Sequence, residues 1–171
     1  MLKKQIAESL EQAFSELGFA EPSVAQLKNA CGVSLRTLYK HYPSKEAMIV
    51  AALEHRHQRY LRFLLEDSPS AGTDAVLHIF SQLNQWMNDF APNGCMSMNA
   101  IAAFPEHKLI LQTVQQHKEA VRNFLGEQSL RTGLATQLFL LHESVSCTWP
   151  LLGEQATDAA KQTISSLFKE G

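Results

Sequence analysis

The sequence predicts an all-α fold in two parts, a three-helix unit over residues 1–47 and a helical bundle over residues 48–171, with about nine helices in total. Three observations carry this. Apolar residues recur at three- and four-residue spacing in segment after segment. No stretch shows the period-two alternation of a half-buried strand, and there is no internal repeat. Finally, Ser23 to Lys45 (SVAQLKNACGVSLRTLYKHYPSK) reads as two short helices around a tight turn, followed by the start of a third.

Composition narrows the class further. The 171 residues are 45% hydrophobic and 19% charged, which suits a packed core and excludes a disordered chain. The formal charge of −2 argues against a histone-like role. Three widely separated cysteines fit a reducing cytoplasm better than a disulfide framework. The opening MLKKQIAESLEQAF is amphipathic with interspersed acids, unlike a signal peptide, and no apolar run is long enough to span a membrane. The expectation is a cytoplasmic protein.

Taken in order, residues 3–17 set Ile6, Leu10, Ala13, Phe14 and Leu17 on one helical stripe, ended by Gly18. Ser23 can cap a second helix carrying Val24, Leu27 and Ala30, which Gly32 stops. Val33 packs into the corner and Ser34 caps a third helix. Leu38 and Tyr42, one turn apart, face inward, while Arg36, Thr37, Lys40 and His41 point out. Ser44 caps a long helix to about Glu66 with Ile49, Leu53, Tyr60, Phe63 and Leu64 on its apolar side. A loop over 67–72 follows, then helices over Thr73–Phe90, Cys95 to about Ala103, Glu106 to about Glu127, Thr132–Leu152 with a kink or end at Pro150, and Glu154–Lys169.

Two short helices with glycine in the connection form the helix-turn-helix pattern, whose second helix enters the major groove of DNA. Charge supports it. Pro22 to Lys45 holds Lys28, Arg36, Lys40 and Lys45 and no acid, a local +4 that leaves about −6 for the rest of the chain. An ordinary αα-corner with solvated lysines is the competing reading. Turn chemistry, caps and charge segregation coincide too closely for it.

The stretch AQLKNACGVSLRTLYKHYPSKEAMI resembles the DNA-binding domain of TetR-family transcriptional repressors. Gly32, Val33, Ser34, Thr37, Leu38, Tyr39, Tyr42, Ser44, Lys45 and Glu46 carry the likeness, within Ile6–Ile49. Lys28 and Cys31 stand where that family usually has alanine. The resemblance implies a homodimer on a pseudo-palindromic double-stranded operator, acting as a repressor relieved by a small ligand. Arg36, Thr37 and Lys40 are expected to touch groove edges or phosphates. Tyr39, His41, Tyr42 and Lys45 are expected to meet phosphate or hold the helix, and Ser34 and Ser44 to offer helix N-termini. Ser23, Lys28 and Leu35 complete the expected DNA-facing set.

The remaining segments offer weaker chemistry. His55 and His57 are two apart and diverge on a helix, and His142-Glu143 lacks the second histidine of a zinc-protease motif because Ser146 occupies its place. No metal, no cofactor and no enzymatic activity are expected. Cys95, after Gly94 near a helix start, is the best thiol-sensor candidate, and a thiol-responsive regulator is one alternative reading. A helical interaction module without DNA binding is another. Phe80, Trp86, Met87, Phe90, Met96, Met98, Phe104, Phe124 and Trp149, with Asn99, His117 and His142 among them, could line a pocket for a small, largely apolar inducer or form a plain core. The family likeness favours the pocket. Leu138, Phe139, Leu141, Leu152, Ala156, Ala160, Ile164 and Leu167, interleaved with small residues on the last two helices, are the expected dimer surface.

Overall fold

The structure, a computed structural model, describes residues 1–169. Among them the chain forms α1 (Leu2–Leu17), α2 (Val24–Ala30), α3 (Leu35–His41), α4 (Lys45–Leu65), α5 (Thr73–Phe90), α6 (Met96–Ala103), α7 (Lys108–Ser129), α8 (Ala135–Leu152) and α9 (Glu154–Lys169). No strand occurs among the described residues, and no helix there is long and apolar enough to cross a membrane.

The fold divides into two compact units. The first takes Met1–Arg59 and Met96–His117, and the second Tyr60–Cys95 and Lys118 onward, so α4 and α7 each contribute to both. In the first, Ile6, Leu10 and Phe14 of α1 meet Leu27, Leu38, Met48, Ile49 and Leu53, with Met96, Ala100, Ile110 and Val114 in the same core. In the second, α9 lies along α5 and α8 around Phe80, Leu83, Leu125, Leu138 and Ile164. Each such fully buried side chain contributes about 1.5–3 kcal/mol.

Three expectations shift locally. Leu17, assigned to the apolar stripe of α1, is exposed at the last residue of the helix. The helix expected from Glu106 begins at Lys108, because the His107 amide closes a turn onto the Phe104 carbonyl at 3.2 Å before the Leu111 amide reaches the His107 carbonyl at 3.0 Å. The expected Thr132–Leu152 helix opens as a 3₁₀ turn, Thr132–Leu134, and becomes α-helical at Ala135. Pro150 sits within the last turn of α8, which Gly153 ends.

Candidate nucleic-acid interface

The first unit builds a presented helix from local rules. Ser23 and Gln26 form a reciprocal capping box: the Gln26 amide donates to Ser23 Oγ at 3.3 Å and the Ser23 amide donates to Gln26 Oε1 at 2.9 Å. After α2, Gly32 takes φ 62°, a conformation that costs other residues about 1–2 kcal/mol. Ser34 then caps α3, its Oγ accepting from the Thr37 amide at 3.0 Å and lying 2.8 Å from Thr37 Oγ1. Ser44 Oγ accepts from the Ala47 amide at 3.1 Å, opening α4.

α3 has two distinct faces. Leu38 is fully buried and Tyr42, just past the helix end, is 7% exposed. On the other side Leu35, Arg36, Tyr39 and Lys40 are exposed, flanked by half-buried Thr37 and His41. Among the described residues neither Arg36 nor Lys40 meets an acid. Of the other expected contacts, Ser23 and Ser34 are exposed and Lys28, Ser44 and Lys45 half-buried.

Two of these residues spend their polar groups on the fold. The Tyr42 hydroxyl donates to the Lys3 carbonyl at 3.0 Å, tying the end of α3 to the start of α1. Lys45 Nζ donates to the Ala20 carbonyl at 2.8 Å and stands 6.0 Å from the Phe104 ring centre. Partial burial pulls the Lys45 ammonium below its usual range, against the pull of Glu46 and Glu21.

A buried ion cluster fixes α1 against α4, and the sequence reading missed it. Glu11, 4% exposed, receives Arg56 Nη1 at 3.1 Å and Arg59 Nη2 at 2.6 Å, and its second oxygen lies 2.6 Å from His55 Nδ1. Burial pushes the Glu11 carboxyl up, but the bonds from Arg59 and His55 and the charges of both arginines outweigh it, so the carboxyl titrates below its usual range. The available signal was Glu11 itself, an acid beside Leu10 and three residues before Phe14 on the buried stripe.

The residues of the expected pocket divide between the two units. Met96, Met98, Asn99, Phe104 and His117 belong to the first unit, where Met98 and Asn99 are exposed and His117 Nε2 sits 2.9 Å from Glu54. Phe80, Trp86, Met87, Phe90, Phe124, His142 and Trp149 belong to the second. There Trp86 packs on Phe90 at 4.9 Å and on Tyr60 at 4.9 Å between ring centres, and Phe80 meets His142 edge-on at 6.5 Å. Of the residues expected at a dimer surface, Leu138, Ala156, Ala160 and Ile164 are buried in the chain's own core, Phe139, Leu141 and Leu167 are half-buried, and Leu152 is exposed. Leu140 and Leu151 of α8 are the more exposed leucines, at 60% and 85%. No cluster of three or more His, Cys, Asp or Glu suited to a metal ion occurs among the described residues.

Residues 6–52 match the family model described as bacterial regulatory proteins, tetR family. A stretch of 53 residues is 32% identical to the HTH-type transcriptional regulator YerO of Bacillus subtilis strain 168, covering 31% of this chain and 18% of that protein. The chain therefore matches less than a fifth of that relative's length. The fold is similar to that of SCO4454, a TetR-family regulator from Streptomyces coelicolor, with TM-score 0.84 at 16% identity over 99% of this chain and 95% of that one. It is also similar to that of E. coli NemR in its reduced form, with TM-score 0.78 at 19% identity over 97% and 96% of the two chains. Residues 6–52 are thus similar to the tetR family of bacterial regulatory proteins, and the full length of the chain shares its fold with solved members of that family.

Proposed function

We propose that the protein is a DNA-binding transcriptional regulator that sits on a pseudo-palindromic operator as a homodimer and represses by blocking access to the promoter. The observation that carries this is the outer face of α3, capped at its start and anchored at its end, with Arg36 and Lys40 exposed and free of acidic partners among the described residues. Residues 1–47 supply the reading head and residues 48–171 the regulatory and dimerisation part. Arg36 and Tyr39 are placed for base edges and phosphate, Lys40, His41 and Lys28 for phosphate, and exposed Leu35 for a thymine methyl. Tyr42 and Lys45 hold the helix in place.

The dimer forms on the uncharged outer stripe of α8, Leu140, Ser144, Cys147 and Leu151, beside the equally uncharged stripe of α9, Gln155, Ala159, Gln162 and Ser166. Both follow one helical face, and small residues between leucines let two copies approach closely. A small molecule acting on the second unit lowers operator affinity by binding the two states of the dimer unequally.

Footprinting the purified protein on DNA upstream of its own and adjacent genes, at two salt concentrations, tests the reading. A protected palindrome whose affinity falls steeply with salt supports it. Weak, unlocalised binding to every duplex would refute it.

A further inference from the structure

The second unit contains a nucleophile set beside a cation. Cys95 lies immediately before α6 and is half-buried, and Lys118 Nζ donates to its sulfur at 3.3 Å. The same ammonium donates to Glu143 Oε2 at 2.6 Å. Glu143 Oε1 is 3.0 Å from His142 Nδ1, and His142 Nε2 is 2.6 Å from the Tyr60 hydroxyl. Burial pulls the His142 imidazole below its ordinary range despite Glu143, so the ring is neutral near pH 7. One proton arrangement then satisfies every bond: Tyr60 O–H donates to Nε2, and Nδ1–H donates to Glu143. Burial works against the charge on Lys118, but the Cys95 sulfur and Glu143 outweigh it, and the amine titrates above its usual range.

The other cysteines lack this setting. Cys31 donates toward the Ile6 carbonyl at 3.8 Å, a contact that keeps the proton on sulfur, and burial pushes its thiol up to about 11. The Cys147 thiol is raised by burial and then by Cys95 and Glu143. Only Cys95 has an ammonium donor at its sulfur among the described residues. Sulfur is a soft nucleophile, and a positive neighbour is the usual device for directing its reaction.

We propose that Cys95 and Lys118 form a site of covalent capture for α,β-unsaturated carbonyl compounds, and that this adduct is the signal the second unit receives. Sulfur forms a bond to the β-carbon, and the C=C electron pair shifts toward the carbonyl oxygen, where Lys118 donates as negative charge develops. The thiol proton ends on the α-carbon. The product is a thioether, with nothing oxidised or reduced and no group leaving. In the thioether Lys118 no longer meets a thiol and has the new carbonyl oxygen to donate to, which draws the ammonium from its place between Cys95 and Glu143. The Glu143–His142–Tyr60 chain loses its cationic end. The capture step stands on this geometry, and its effect on operator binding rests on the regulator reading above.

The full-length protein treated with methyl vinyl ketone tests both parts. One adduct per chain is expected, mapped to Cys95 by peptide mass, forming about tenfold faster than on glutathione at the same pH. Lys118→Met should slow Cys95 about tenfold and Lys118→Arg should retain most of the rate, with Cys31 labelling monitored as a check that each variant is folded. Reaction at Cys95 no faster than at glutathione overturns the proposal without any variant. So does first labelling at Cys31 or Cys147, or a Cys95 oxidised by hydrogen peroxide but inert to methyl vinyl ketone. Adducted protein that keeps its full operator affinity overturns the signalling role. Protein that labels at Cys95 as expected on treatment, but protects no duplex even before treatment, refutes the regulator reading and supports the capture site.

Discussion

Replacing Glu143 by Gln removes the anion that Lys118 and His142 share while leaving the side chain's shape nearly unchanged. In the wild type, burial pushes this carboxyl up, but the His142 bond and the Lys118 charge hold it down at about 2, against an ordinary 4.5. A folded-state value below the unfolded one means stability that is present above pH 4.5 and lost as pH falls toward 2. At about 1.36 kcal/mol per pH unit, that shift corresponds to about 3 kcal/mol at neutral pH, falling to about 1 kcal/mol at pH 3. His142, held low by burial and raised in part by Glu143, also costs stability below its unfolded value of 6.5 in both proteins. Urea unfolding of both proteins between pH 5 and pH 3 should give stability curves that converge by about 2 kcal/mol. Curves that stay parallel through this window would refute the assignment of the low carboxyl value to the Lys118–Glu143–His142 contact.

Other positions make separate claims. Gly32→Ala meets open space but must adopt φ 62°, so the loss should be about 1–2 kcal/mol in chemical denaturation, with no steric component. Gly126→Ala differs in kind, because its new methyl would stand 2.8 Å from Ala135 Cβ, and about 1–3 kcal/mol of overpacking should appear as a lowered thermal midpoint. Arg36→Ala should cost about 1–3 kcal/mol of operator affinity and relax preference at one base position, whereas Lys40→Ala should weaken all duplexes alike, both read by competition binding. Leu151→Glu should yield monomers in sedimentation velocity and leave the fold intact, since that side chain is 85% exposed.

Much of the first unit could be read from the chain because its decisive features are local. The Ser23, Ser34 and Ser44 caps, the Gly32 turn and the inward Leu38–Tyr42 pair each depend on residues within four positions of one another. What escaped depends on distant partners. Glu11 meets residues more than forty positions away, and Lys118 joins Cys95 on one side and Glu143 on the other. Periodicity marks a charged residue on a buried stripe as an oddity without saying which cation will face it. The outer helices illustrate the same limit. Leucines and small residues alternate around α8, and only packing decides that Leu138 turns inward while Leu140 and Leu151 face out.

The straps on α3 have a consequence for how such a head could change over time. Its position is held by Leu38, by the Tyr42 hydroxyl on a backbone carbonyl and by Lys45 on another, and none of these anchors involves an exposed α3 side chain. Backbone acceptors are the same whatever residue carries them. Positions 35, 36, 39 and 40 can therefore be exchanged with little effect on stability, and a duplicated copy could acquire a new target sequence by few substitutions without first being stabilised elsewhere.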